Sequence, residues 1–252
     1  MHFPVTVEIS TLKILLHSIF EPLGIFIGFR YFLFLRKAKG DYIESGQRLW
    51  ILIGATFGAL IGSRLVGGFE NPVALFNADN PLMYIYQNKT VVGGFLGGLA
   101  GVELTKKMIG EKQKSGDLFT YPLILALIIG RVGCFSMGVF EETYGVPTNF
   151  FFGMDLGDGI KRHPVILYEM FFLLLLWISM RQVEKRYVLA EGGRFKIFMI
   201  AYLFFRLILD FIKPHYTFNF GLSTIQIVCI AGLLYYGAYI LKPKKLILLP
   251  NA

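Results

Sequence analysis

Seven runs of apolar residues recur along the chain, each close to the roughly 20 residues that an α-helix needs to cross a bilayer. They fall at about 18–35, 49–68, 91–109, 118–138, 164–180, 195–213 and 221–241. A helix satisfies its backbone polar groups within itself, which lipid demands. The pattern therefore predicts an all-α, polytopic integral membrane protein, with residues 1–252 forming a single transmembrane domain. The third run contains VVGGFLGGLAG at 91–101. Its glycines predict close approach of neighbouring helices and a helix surrounded by protein. Pro22, Pro122, Pro164 and Pro214 are read near run ends, where a missing N–H matters least. The longest polar stretch, about 139–163, carries Glu141, Glu142, Asp155 and Asp158 and leaves no room for a soluble domain.

Charge adds an orientation. Sixteen basic residues lie in alternate connections: Arg36, Lys37, Lys39 and Arg48; Lys106, Lys107, Lys112 and Lys114; Arg181, Lys185, Arg186, Arg194 and Lys196; and Lys242, Lys244 and Lys245. The opposite side holds five: Lys13, Lys89, Lys161, Arg162 and Lys213. The positive-inside rule puts the N-terminus outside and the C-terminus in the cytoplasm. The net charge of +8 is thus loop charge, which argues against a nucleic-acid partner. The first run lacks a basic flank and a small-residue cleavage site, so it is expected to stay as an anchor. Cys134 and Cys229 sit inside apolar runs and read as packing residues.

The remaining four basic residues, Arg30, Arg64, Arg131 and Arg206, lie inside the runs. Each costs roughly 2.5–3.5 kcal/mol at a bilayer centre, so together they weigh on the order of 10 kcal/mol, as much as the stability of a typical domain. Arg30 is near a cytoplasmic end and can snorkel to the interface. Arg131 and Arg206 each precede the outer end of their run by seven residues, roughly 10 Å along a helix. Arg64 is somewhat shallower. Acidic and polar partners share this level: Glu169 just after His163 and Tyr168, Asp210 with Tyr202 around Arg206 at helical spacing, and Gln226 in the last run. Packing ion pairs are one reading. Buried pairs seldom add net stability, and so many ionisable groups at one depth read better as a site. Arginine stays charged when buried and grips phosphate through two parallel hydrogen bonds. A lipid phosphate is the expected ligand, with Glu169, Asp210, Tyr202 and His163 orienting the arginines or moving a proton. No P-loop, metal-ligand spacing or nucleophile elbow is present in the sequence.

Several segments resemble the bacterial prolipoprotein diacylglyceryl transferases. GSRLVG (62–67), GGFLGGLAG (93–101), Asp117, GRVGCF (130–135) followed by YGVPT (144–148), RHPVILYE (162–169), the Tyr202–Arg206–Asp210 spacing and Gln226 follow the family's order over roughly residues 20–235. The resemblance implies transfer of a diacylglyceryl group from phosphatidylglycerol to the lipobox cysteine behind a prolipoprotein signal peptide. The products are a thioether and glycerol phosphate, and no metal or organic cofactor takes part. It implies a bacterial cytoplasmic membrane, catalytic roles for Arg131, Arg206, Glu169, Tyr202 and His163, and substrate contacts from Arg64, Asp210, Gln226, Tyr168, Gly97, Gly98, Glu141 and Glu142. Two positions depart from the family pattern: Leu96 stands where a histidine is usual, and Leu23 precedes Gly24 where a tyrosine is usual. Val139 likewise stands where Glu or Cys is common, with Glu141 and Glu142 nearby. The open alternative is a relative that binds phospholipid or lipoprotein without transfer.

Overall fold

A computed structural model describes residues 3–9 and 12–250. Every predicted run lies in helical structure. The long helices are α1 (Leu16–Lys39), α2 (Ser45–Gly68), α5 (Val91–Ile109), α6 (Thr120–Met137), α7 (Val165–Arg186) and α8 (Gly193–Leu209). Two short helices, α3 (Pro72–Phe76) and α4 (Pro81–Gln87), fill the connection between α2 and α5. Each opens on an Asn side chain that accepts a backbone N–H, followed by Pro in the first turn. Among the described residues four helices are long and apolar enough to cross a membrane: α1, α2, α6 extended to Phe140, and α7. The outward surface is apolar, as lipid requires: Phe57, Phe171 and Phe204 are all exposed.

Three features differ from the sequence reading. The last run is two helices, α9 (Thr224–Tyr235) and α10 (Gly237–Leu241), separated at Tyr236 ahead of Gly237, a poor helix former. Pro22 lies inside α1 and not at its end. It is in the second turn, where its missing N–H removes the helical bond to the Ser18 carbonyl. The chain also carries short hairpins the apolar pattern does not show: β1 (Thr6–Ile9) with β2 (Leu12–Leu15), and β3 (Met154–Asp155) with β4 (Lys161–Arg162) in the long connection. A third antiparallel pair joins β5 (Tyr187–Leu189), at the end of α7, to β6 (Ile247–Pro250).

Two helix pairs set the architecture. Helix α2 packs on α5 through Gly54, Gly58 and Gly62 against Gly93, Gly97 and Gly101. A Cβ on Gly62 would stand 2.7 Å from the Gly97 Cα, so only glycine permits this approach. Helix α1 packs on α6 at Gly24, Gly28 and Gly133, where a Cβ on Gly24 would meet the Ala126 carbonyl at 2.7 Å. Helices α7, α8 and α9 close the bundle around a core that includes Leu173, Phe198, Met199, Leu203 and Cys229.

Side-chain clamps fix the connections at the end where the basic residues collect. Asp41 accepts hydrogen bonds from Arg36 and two from Arg48, and the buried Arg48 also donates to the Ser115 carbonyl. Asp117 receives the N–H groups of Gly192 and Phe195 at 2.8 and 3.0 Å, anchoring the start of α8. Arg48 and Asp117 are thereby structural. At the other end Ser223 and Gln226 form a reciprocal capping box on α9.

Candidate active site

The geometry centres on Glu169, in the second turn of α7 and 1% exposed. Its Oε1 accepts from Arg131 Nη2 at 2.9 Å and from the Tyr202 hydroxyl at 2.7 Å, and its Oε2 accepts from Arg206 Nη1 at 3.4 Å. Arg131 comes from the last two turns of α6, and Tyr202 and Arg206 from the last two turns of α8, one helical turn apart on the same face. Phe95 sets its ring edge against Tyr202 at 5.1 Å, and Phe172 stacks on Phe205 at 4.0 Å, so the polar groups are held by packed aromatics.

Two guanidinium ions thus share one carboxylate. Charge is not balanced: the trio keeps a net positive charge in a buried place, where an uncompensated ion costs several kcal/mol. The Nε atoms of Arg131 and Arg206 are buried and have no hydrogen-bond partner among the described residues. Arg131 and Arg206 line a cavity of about 1350 Å³ between the α1/α6 and α2/α5 pairs. One end is polar, with Arg64, Glu70, Glu141, Glu142 and Lys213 around the arginines. The middle wall is apolar, with Leu52, Ala55, Leu99, Leu123 and Leu127. Arg64 lies over the Tyr86 ring at 4.9 Å, and its Nε is also without a partner among the described residues. Burial raises the Glu70 carboxyl above its ordinary range, against the pull of Lys213 and Arg206. An anionic headgroup at the arginines with acyl chains along the apolar wall is what this cavity can hold.

The sequence-derived residues divide. Arg64, Arg131, Arg206, Glu169, Gly98, Glu141 and Glu142 share the cavity wall. Tyr202 is fully buried behind it, acting on Glu169. Asp210 accepts from the Ser223 hydroxyl and from neither arginine; Gln226 gives its Oε1 to the α9 cap, and its buried Nε2 has no partner among the described residues. His163 and Tyr168 bond each other, Nδ1 to hydroxyl at 3.2 Å, off the cavity wall. Gly97 faces the Gly58 and Gly62 backbone of α2 and has no ligand-facing surface. Leu96 points into the core against Gly232 of α9, and the space beside its flanking glycines is filled by α2. Cys134 is not simply a packing residue: it is partly exposed on the cavity wall, with Arg131 Nη1 3.7 Å from its sulfur. Sequence reasoning also missed His17 and Glu21, which line the polar end. Their i, i+4 spacing at the N-terminal end of α1 was the available signal, but one such pair is common on helix surfaces.

Fold and site together define a multi-pass helical membrane protein with an anion-seeking arginine site inside its bundle. The sequence model described as prolipoprotein diacylglyceryl transferase matches residues 4–241. Similar proteins include phosphatidylglycerol–prolipoprotein diacylglyceryl transferases of Finegoldia magna (27% identical, covering 97% of this chain and 97% of that protein) and Rickettsia felis (31%, covering 94% and 95%). That of Idiomarina loihiensis is 30% identical, covering 73% of this chain and 71% of its own length. The chain belongs to the prolipoprotein diacylglyceryl transferase family.

Proposed function

We propose that this protein transfers a diacylglyceryl group from phosphatidylglycerol to the lipobox cysteine of a prolipoprotein in a bacterial cytoplasmic membrane. The observation that carries this reading is the pair of buried guanidinium groups sharing the single Glu169 carboxylate beside a long, apolar-walled cavity. The lipid phosphate supplies the second negative charge. Its oxygens satisfy the free donor edges of Arg131 and Arg206, and Arg64 adds a third cation nearer the mouth. The substrate sulfur attacks the glycerol carbon as the carbon–oxygen bond to phosphate breaks. The charge that grows on the departing glycerol phosphate lands on preorganised arginines. Glu169 and Tyr202 position those arginines, and Asp210, Gln226, Tyr168 and His163 support the surrounding helices and loops.

The membrane arrangement belongs to the same reading. α9 with α10 serves as the seventh span, the N-terminus lies outside, and the arginine end of the cavity opens to the outer leaflet, where the signal-peptide cysteine emerges. The test is lipid transfer from phosphatidylglycerol to a lipobox peptide by the purified protein in liposomes, with complementation of a strain depleted of its own transferase. Transfer with thioether formation supports the assignment. Phosphatidylglycerol binding without transfer would make the chain a lipid-binding relative instead.

A further inference from the structure

Three potential metal-ligand side chains from three parts of the chain converge on the polar end of the cavity. His17 is in the first turn of α1, Cys134 in the last turn of α6, and Glu141 follows the 3-10 turn after α6. One donor atom from each lies within 4.8 Å of the others. His17 Nδ1 and Glu141 Oε2 are 3.3 Å apart, and both are buried with no hydrogen-bond partner among the described residues. Two donors each about 2.0–2.1 Å from a tetrahedral zinc ion lie about 3.3 Å apart. The other ring nitrogen of His17, Nε2, is 3.2 Å from Glu21 Oε2, and the second oxygen of that carboxylate, Oε1, accepts from Lys89. A carboxylate behind the distal ring nitrogen is the arrangement that orients metal-bound histidines. The close approach is tight: a Cβ on Gly133 would meet His17 Cα at 3.2 Å and Phe20 Cβ at 3.0 Å, so glycine favours the crossing that brings His17 beside Cys134.

We infer that His17, Cys134 and Glu141 form a binding site for a zinc-like divalent cation, with its fourth position open to the cavity. The mixed nitrogen, sulfur and oxygen donors suit zinc and disfavour magnesium or calcium, which take oxygen ligands. A thiolate and a carboxylate neutralise the +2 charge, so the site can hold the ion without further anions. Resting on the transferase reading, the fourth ligand is the lipobox thiol. Binding to the ion releases its proton to bulk water through the mouth. The thiolate sulfur then forms the bond to the glycerol carbon as the carbon–oxygen bond breaks, and the electron pair leaves with glycerol phosphate.

The probe is Co²⁺, loaded into the purified full-length protein in detergent, with zinc content measured in parallel. One equivalent per chain is expected, with a near-ultraviolet sulfur-to-cobalt band. Cys134→Ser should abolish that band, His17→Ala and Glu141→Gln should each lower metal content, and Glu21→Gln should weaken affinity about 10–100-fold while keeping the band. A lipobox peptide should intensify the band, and the peptide with serine for cysteine should not. Substoichiometric binding by the wild type, or an unchanged band in Cys134→Ser, overturns the site. A band unmoved by the cysteine peptide overturns the thiol role. Transfer at full rate after chelation also overturns that role while leaving the transferase reading intact, whereas stoichiometric metal without any transfer overturns the transferase reading alone.

Discussion

Glu169 satisfies one tyrosine and half of two arginines, and that shortage of negative charge is what makes the site chemically specific. In the proposed reading, Arg131→Ala or Arg206→Ala removes a phosphate contact that no other buried group reproduces. Each is expected to lower lipid transfer by a factor of about 10²–10³, by analogy with loss of a single oxyanion donor. Arg131→Lys should recover only part, because an ammonium cannot bond a phosphate in parallel pairs; initial rates with a lipobox peptide decide this. Leu96→His tests the departure from the family pattern. Its side chain would sit against Gly232 and Leu203, away from the cavity. The expected result is a lower melting temperature in detergent and no gain in activity, since burying an unpartnered imidazole costs on the order of 1–3 kcal/mol. A rise in transfer rate would show that position 96 reaches the substrate. The arginines and Glu169 were legible in the sequence because ions inside apolar runs stand out by depth. His17 and Cys134 were not: each has an ordinary structural reading, and only the α1–α6 crossing puts them together.

At the scale of elements, the glycines divide by what they face. Gly97 meets the α2 backbone, whereas a Cβ on Gly94 would lie 3.7 Å from Ser63 Cβ, an ordinary contact. Gly97→Val is therefore expected to separate α2 from α5 and collapse yield and thermal stability, while Gly94→Ala should melt near wild type; detergent melting curves separate the two. The Asp41 clamp gives a pH-dependent counterpart. Burial alone raises the Asp41 carboxyl, but hydrogen bonds from Arg48 and the Ile43 N–H, with the charges of Arg48 and Arg36, hold it below its ordinary value. A carboxyl depressed in the folded state contributes stability above its unfolded pKa, about 3.9, and loses it as pH falls through the folded value. The melting-temperature gap between wild type and Asp41→Asn should be full near neutrality and shrink once pH drops below about 4. An equal gap at both extremes would mean the clamp acts by shape alone. Helix positions were legible because apolar runs of this length have few alternatives. The break at Tyr236, the Asn-capped α3 and α4, and the β5–β6 pairing were not, since they depend on local turn chemistry and on contacts distant in sequence.

Across the whole molecule, the clamps and the basic residues occupy one end and the arginine site the other, with the cavity running between them. Lys114, Lys196 and Tyr239 line its far end, where Lys196 Nζ stands 4.2 Å from the Tyr239 ring centre. A lipid entering at the arginines must leave its tails along the apolar wall, so the bundle's orientation decides which leaflet supplies it. The bias of sixteen basic residues against five fixes the direction expected. In the proposed orientation Arg48, Asp117 and the lysines of 106–114 would sit at the cytoplasmic interface, and the His17–Glu141 end would meet the emerging cysteine. Reporter fusions in cells check this directly. A cytoplasm-active reporter joined at Lys112 or in 181–186 should be active, and an export-active reporter should work after Asp158. Export activity at Lys112 would invert α5 and α6, place Arg131 toward the wrong leaflet, and remove the basis for an outer-leaflet lipid donor.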